Sequence, residues 1–166
     1  MVCAAMKRLR TFEDFRVGQT IELGAEQELT REEIVEFARR WDPQPFHLDE
    51  DAGRASPFGG LIASGWHSVC LFMGMYVREI LNGTESMGSP GVDAIRWLVP
   101  VRPGDRLRAR ATVTALEPSA RRADRGTVHS HCELVNQRDE VVMTLEARGY
   151  VGRRSSPRWA TTSPRG

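Results

Sequence analysis

An α+β fold, with a curved antiparallel sheet wrapped around one apolar helix, follows from two patterns in this 166-residue chain. The first is SGWHSVCLFMGMYVREILN, a helical stretch that is apolar nearly all round from Trp66 to Val77 and so belongs inside a protein. The second is a series of alternating segments after Asp93, joined by short polar turns, which is how consecutive antiparallel strands read. At about a dozen residues the apolar run is too short to span a membrane. One helix and one sheet able to cover it make a single layered core.

Each element has its own justification. Phe12, Phe15 and Val17 lead to Gly18 and then to a predicted strand over QTIELGAEQEL. Thr30 is placed as an N-cap, and Glu33 three residues on completes a capping box. The helix behind it, REEIVEFARRW, repeats apolar residues at Ile34, Phe37, Ala38 and Trp41, one face of a 3.6 period. Pro43 ends it. After His47, the segment LDEDAGRASPFGG carries turn signals at Ala52-Gly53 and Gly59-Gly60. Ser64 is the expected N-cap of the apolar helix and Asn82-Gly83 its stop. Gly74 in the helix interior weakens it by roughly 1 kcal/mol against alanine, which predicts a close backbone contact there.

The strands follow in order. DAIRWLVPV gives a first alternating run, ended by a turn at Pro103-Gly104-Asp105. In RLRARATVTAL, Leu107, Ala109, Ala111, Val113 and Ala115 face inward while Arg106, Arg108 and Arg110 form a solvated outer face. GTVHSHCELV turns Val128, Ser130, Cys132 and Leu134 to the core. VVMTLEARGYV does the same with Val141, Met143, Leu145, Ala147 and Val151. The expected organisation is a flexible N-terminus over 1–10, one domain over 11–152, and a disordered Ser/Pro/Arg-rich tail over 153–166.

Composition narrows the class. Apolar residues make up 40% and charged residues 27%, as in a globular chain, and the formal net charge is +1. Bulk charge therefore argues for neither a nucleic-acid nor a membrane partner. Three cysteines, Cys3, Cys70 and Cys132, form no CxxC, and their odd number argues against a disulfide framework. The opening MVCAAMKRLR has too short an apolar run for a signal peptide, so a reducing cytoplasm is expected.

The chemistry concentrates in WDPQPFHLDEDAGRASPFGGLIASG, Trp41 to Gly65. Asp42 and His47 are five apart with Pro43 and Pro45 between them. Each proline pushes the residue before it towards extended geometry. Neither regular period superposes positions five apart, so a stiff irregular turn is expected to aim both side chains. Asp42 also falls at a helix C-terminus, where a negative charge gains nothing from the macrodipole. A turn residue before proline is the plain alternative. His67 reads as structural or pocket-lining. His129 and His131 share a strand face with no third metal ligand in view, so no metal is expected.

The runs W-D-P-Q-P-F-H-L-D, P-F-G-G-L-I-A-S-G-W and V-R-P-G-D resemble the MaoC-like dehydratases, hot-dog proteins that include the R-specific enoyl-CoA hydratases. The resemblance covers roughly residues 10 to 152. Its specific part is Asp-x4-His with a glycine 18 residues after the histidine. It implies that Asp42, as principal base, and His47 activate one water, while the Gly65 N–H holds the thioester oxygen. Gln44, Phe46, Ser64 and Trp66 flank these as expected substrate-binding positions. It also implies an acyl-CoA substrate, no cofactor beyond the coenzyme A of that substrate, and a homodimer or higher homo-oligomer with pantetheine along the interface. Three positions depart from the family's common residues: Gln44 for asparagine, Ser64 for histidine, and Met73 for a serine in some hydratases.

Those residue types suit addition of water to an α,β-unsaturated thioester. A carboxylate and an imidazole can carry both proton transfers, each worth about 10²–10⁴-fold. A helix-initiating N–H offers an oxyanion donor whose loss typically costs about 3 kcal/mol. A hot-dog thioesterase and a non-catalytic acyl-thioester binding module are the competing readings.

Overall fold

A computed structural model describes residues 8–154. The described residues form a six-stranded antiparallel sheet, in the order β1-β4-β5-β6-β3 with β2 also on β4, and a long helix against it. The strands are β1 (Thr20–Glu22), β2 (Gln27–Glu28), β3 (Gly91–Trp97), β4 (Arg106–Pro118), β5 (Arg125–Val135) and β6 (Val141–Gly152). The helices are α1 (Arg31–Trp41), α2 (Pro45–Leu48), α3 (Glu50–Ala55) and α4 (Gly65–Glu79). Three long strands side by side, β4, β5 and β6, carry the inner face. Leu107, Ala109, Ala111, Val113, Cys132, Leu134, Met143 and Leu145 are all buried there. Phe72 and Met75 of α4 meet that face, each 2% exposed.

α1 starts as its sequence predicts. The Thr30 hydroxyl accepts from Glu33 N at 3.2 Å, and Glu33 Oε2 accepts from Thr30 N at 2.8 Å, so two otherwise unpaired N–H groups are satisfied. Its buried face differs from the expected one. Ile34, Val35 and Ala38 are buried, whereas Trp41 is 65% exposed with the Arg40 guanidinium 4.9 Å from its ring centre. The last turn of α1 runs past the edge of the core.

Several further expectations are corrected. The predicted first strand is broken at Gly24, whose φ of +79° is a left-handed turn, into β1 and β2. The turn expected at Ala52-Gly53 is instead the middle of α3, because the Asp49 side chain caps that helix through Asp51 N and Ala52 N. Gly53 is required for packing: a Cβ there would lie 2.5 Å from the backbone at Gly60 and Leu61. Gly74 has no close backbone neighbour; a Cβ there would meet only the Arg78 side chain, at 3.2 Å. In β4 the register shifts between Val113 and Ala115, so Leu116 rather than Ala115 packs on the core. β3 stops at Trp97, so Val99 and Val101 follow it outside the ladder, and Val142 is more deeply buried than Val141. Arg110 on the outer face pairs with Glu133 at 2.6 Å.

The largest difference concerns α4. The sheet covers one of its faces and leaves the other open, with Trp66 55% and Met73 46% exposed and Cys70 between them also exposed. At the ends of the chain, Arg10 bridges to Thr84, and Arg153 and Arg154 bond to Glu13 and Asp14. The expected boundaries at 10 and 153 thus fall inside the described span. The rest of the expected flexible N-terminus and disordered tail, residues 1–7 and 155–166, lies outside the described residues.

Candidate active site

The turn between α1 and the segment before α4 builds the site. Asp42 is the C-cap of α1, its N–H donating to Ala38 O at 2.9 Å. Gln44 is extended, and Pro45 takes the first position of α2, where a missing N–H costs nothing. His47 therefore sits on a one-turn helix, not in the irregular turn the prolines suggest. The two prolines act as expected on direction: they stop α1 and start α2 so that Asp42 and His47 converge.

His47 is 4% exposed. Its Nδ1 lies 2.8 Å from Ile62 O, which can only accept, so Nδ1 carries a proton and a singly protonated ring presents a bare Nε2. That Nε2 is 3.4 Å from Asp42 Oδ2. Asp42 Oδ1 accepts from Gln44 Nε2 at 2.8 Å and Oδ2 accepts from Ser64 Oγ at 2.7 Å. Partial burial pushes the Asp42 pKa up, but the bonds from Ser64 and Gln44 and the neighbouring His47 outweigh it and hold the carboxyl below its ordinary value. The group is kept as an acceptor.

Gly65 opens α4, so its N–H is among those with no acceptor inside the helix. The pocket beside it, about 490 Å³, is lined by Asp42, Gln44, Phe46, His47, Gly65 and Trp66 among the expected residues. Ser64 is not among the lining residues; it is fully buried, with its hydroxyl turned onto Asp42. The rest of the wall is mostly apolar, from Phe58 and Ile62 on one side to Leu98, Val99, Val101 and Val142 on the other.

Trp97 is a residue of this pocket that the sequence patterns did not single out. Its Nε1 donates to Gly65 O at 2.9 Å, and its ring stands edge-on to Trp66 at 5.7 Å. A Cβ on Gly65 would lie 2.5 Å from Trp97 Cε2. Glycine is therefore dictated here by the indole lying across it. The signal available in sequence was only an aromatic residue in an alternating strand, 32 positions away.

His67, read as structural or pocket-lining, is structural: it is 8% exposed and stacks on Phe37 at 4.4 Å. Burial lowers its pKa, against the opposing pull of Glu33. His129 and His131 are each turned to a glutamate, Glu117 and Glu146, and among the described residues no three His, Cys, Asp or Glu side chains group to hold a metal.

A carboxylate and an imidazole thus stand together in a mostly apolar pocket, beside a helix start, on an α+β scaffold. Residues 13–136 match the MaoC like domain, and the chain belongs to that family of hydratases and dehydratases. The MaoC-like dehydratase of Rhodospirillum rubrum superposes with a TM-score of 0.79 at 40% identity, over 87% of this chain and 98% of that one. An (R)-specific enoyl-CoA hydratase of the same species is 28% identical over 145 residues, 85% of this chain and 95% of the relative. A Mycobacterium tuberculosis protein with a double hot-dog fold shares the architecture at 20% identity, with a TM-score of 0.69 over 91% of this chain and 46% of that one. The fold is a hot dog.

Proposed function

We propose that the chain catalyses reversible hydration of a trans-2-enoyl-CoA to an (R)-3-hydroxyacyl-CoA, or the reverse dehydration. The observation that carries this is the 3.4 Å gap between Asp42 Oδ2 and His47 Nε2, opening onto the pocket that also exposes the start of α4 at Gly65. A water resting against both atoms on their pocket side donates to each. As its oxygen bonds to C3, Asp42 takes one proton, and the electron pair of the double bond moves towards the thioester oxygen. The Gly65 N–H meets the negative charge developing there. The proton then goes to C2, so H and OH have been added across one double bond and the thioester is intact. The apolar wall strengthens each of these interactions by keeping bulk water away.

The direct test follows the enoyl-thioester absorbance of crotonyl-CoA and longer substrates with the purified protein. Loss of absorbance without thiol release is expected. Free thiol as the product would move the assignment to a thioesterase, and tight binding without any product would move it to a binding module.

A homodimer accompanies this reading. Trp66 and Met73 on α4, and Val92, Trp97 and Leu98 at and just beyond β3, are exposed large apolar side chains. Among the described residues β3 is also a sheet edge, paired with β6 and no other strand. Unpaired edges and contiguous apolar surface call for cover. Sedimentation is expected to show a dimer at micromolar concentration, and a monomer alone would contradict it. Among the described residues no helix is long and apolar enough to cross a membrane. A cytoplasmic location is part of the same proposal.

A further inference from the structure

We infer that Ser64 is a positioning residue for this reaction: its hydroxyl, oriented by the first turn of α4, fixes Asp42 so that Oδ2 meets the attacking water only as an acceptor. The inference rests on the hydration reading and adds to it the origin of the site's proton arrangement.

Two backbone groups at this site have unambiguous hydrogen-bonding roles. The Trp66 backbone N–H can only donate, and it points at Ser64 Oγ, 3.2 Å away. Ser64 Oγ has one proton, and with a donor already aimed at it that proton goes to Asp42 Oδ2, 2.7 Å away. At the far end, the Ile62 carbonyl can only accept, so the proton on His47 sits on Nδ1. Two backbone groups, one at each end, thereby set the direction of every bond between them. With the ring in its neutral form, Asp42 Oδ2 and His47 Nε2 face the pocket as two acceptors. A water, with two protons to donate, satisfies both at once.

A single short segment holds both ends. Ile62 and Ser64 are two residues apart, and the segment is pinned by Ile62 N donating to Phe46 O at 3.2 Å and Ala63 N donating to Val101 O at 2.8 Å. Ser64 is 0% exposed, so no solvent competes for its hydroxyl. The other oxygen of Asp42 is held by Gln44, which is exposed and so a weaker restraint. His47 is the titratable group that faces Asp42; Ser64 and Gln44 are its uncharged donors.

Ser64→Gly tests this, because glycine caps a helix almost as well as serine but has no proton for Asp42. Ser64→Thr keeps the hydroxyl. Two readouts are taken on wild type and both variants: the carboxyl carbon-13 titration of Asp42 by NMR, and the pH profile of kcat/KM for crotonyl-CoA. In Ser64→Gly the Asp42 midpoint and the acid limb are expected to move to higher pH together. kcat is expected to fall roughly tenfold, the scale of one hydrogen bond to a charged group, with KM within about twofold. Ser64→Thr should restore both. An unchanged Asp42 midpoint or acid limb in Ser64→Gly overturns the inference. Should wild type itself turn nothing over, the hydration reading fails and the positioning role with it, while the NMR titration still reads the Ser64 contact separately.

Discussion

Replacing Asp42 with asparagine lowers hydration of a trans-2-enoyl thioester by about 10²–10⁴-fold, the range expected for removing a positioned acid–base group. The variant is expected to stay folded. Asparagine keeps the shape of the side chain, its Oδ1 can still accept from Ser64 Oγ, and Gln44 is exposed and free to turn its amide. The oxygen that accepts from Ser64 still faces His47 Nε2, but it belongs to an amide, which cannot take a proton from a bound water. His47→Ala is expected to lose rate on the same scale. It also leaves Ile62 O without its partner in a buried position, a destabilisation of about 1–3 kcal/mol. Steady-state rates with circular dichroism as a fold control separate the two effects. Undiminished turnover in both variants would remove this pair from the chemistry.

Gly65→Ala is the second large effect. The new Cβ would sit 2.5 Å from Trp97 Cε2 and 2.6 Å from Nε1, so the indole must leave. With it go the bond to Gly65 O and the edge contact with Trp66. Overpacking of this kind costs typically 1–3 kcal/mol. Trp97 is already 49% exposed and can swing outward, which puts the stability cost at the low end, about 1 kcal/mol. The rate should suffer more. A displaced oxyanion donor is worth about 10²–10³-fold, and the Gly65 N–H lies on the residue that the ring is pushing against. Trp97→Ala added to Gly65→Ala is expected to recover stability, as neighbouring sites couple. Wild-type melting and wild-type turnover in Gly65→Ala would contradict the account of that contact.

Much of this molecule is legible wherever one period governs a segment. The Thr30–Glu33 box and the inward residues of β4 and β5 follow from spacing alone, and they hold until Thr114, where an extra residue turns Leu116 inward. Spacing also brought Asp42 and His47 forward, although the device is a helix cap followed by a one-turn helix. What stayed hidden is tertiary. An apolar helix does not say how many of its faces the sheet will cover, so the open stripe at Trp66 and Met73 could not be read. Gly53 looks like a turn residue until the Gly60–Leu61 backbone is seen against it. Trp97 over Gly65, and Ser64 behind Asp42, depend on contacts between residues 32 and 22 positions apart, which no local pattern encodes.

The most direct test is the stereochemistry of wild-type hydration run in heavy water. One carboxylate and one imidazole sharing one molecule on one side of the pocket predict that hydroxyl and deuterium add to the same face, giving a single (R)-3-hydroxyacyl product with one deuterium at C2. Addition to opposite faces, or no product at all, would contradict it.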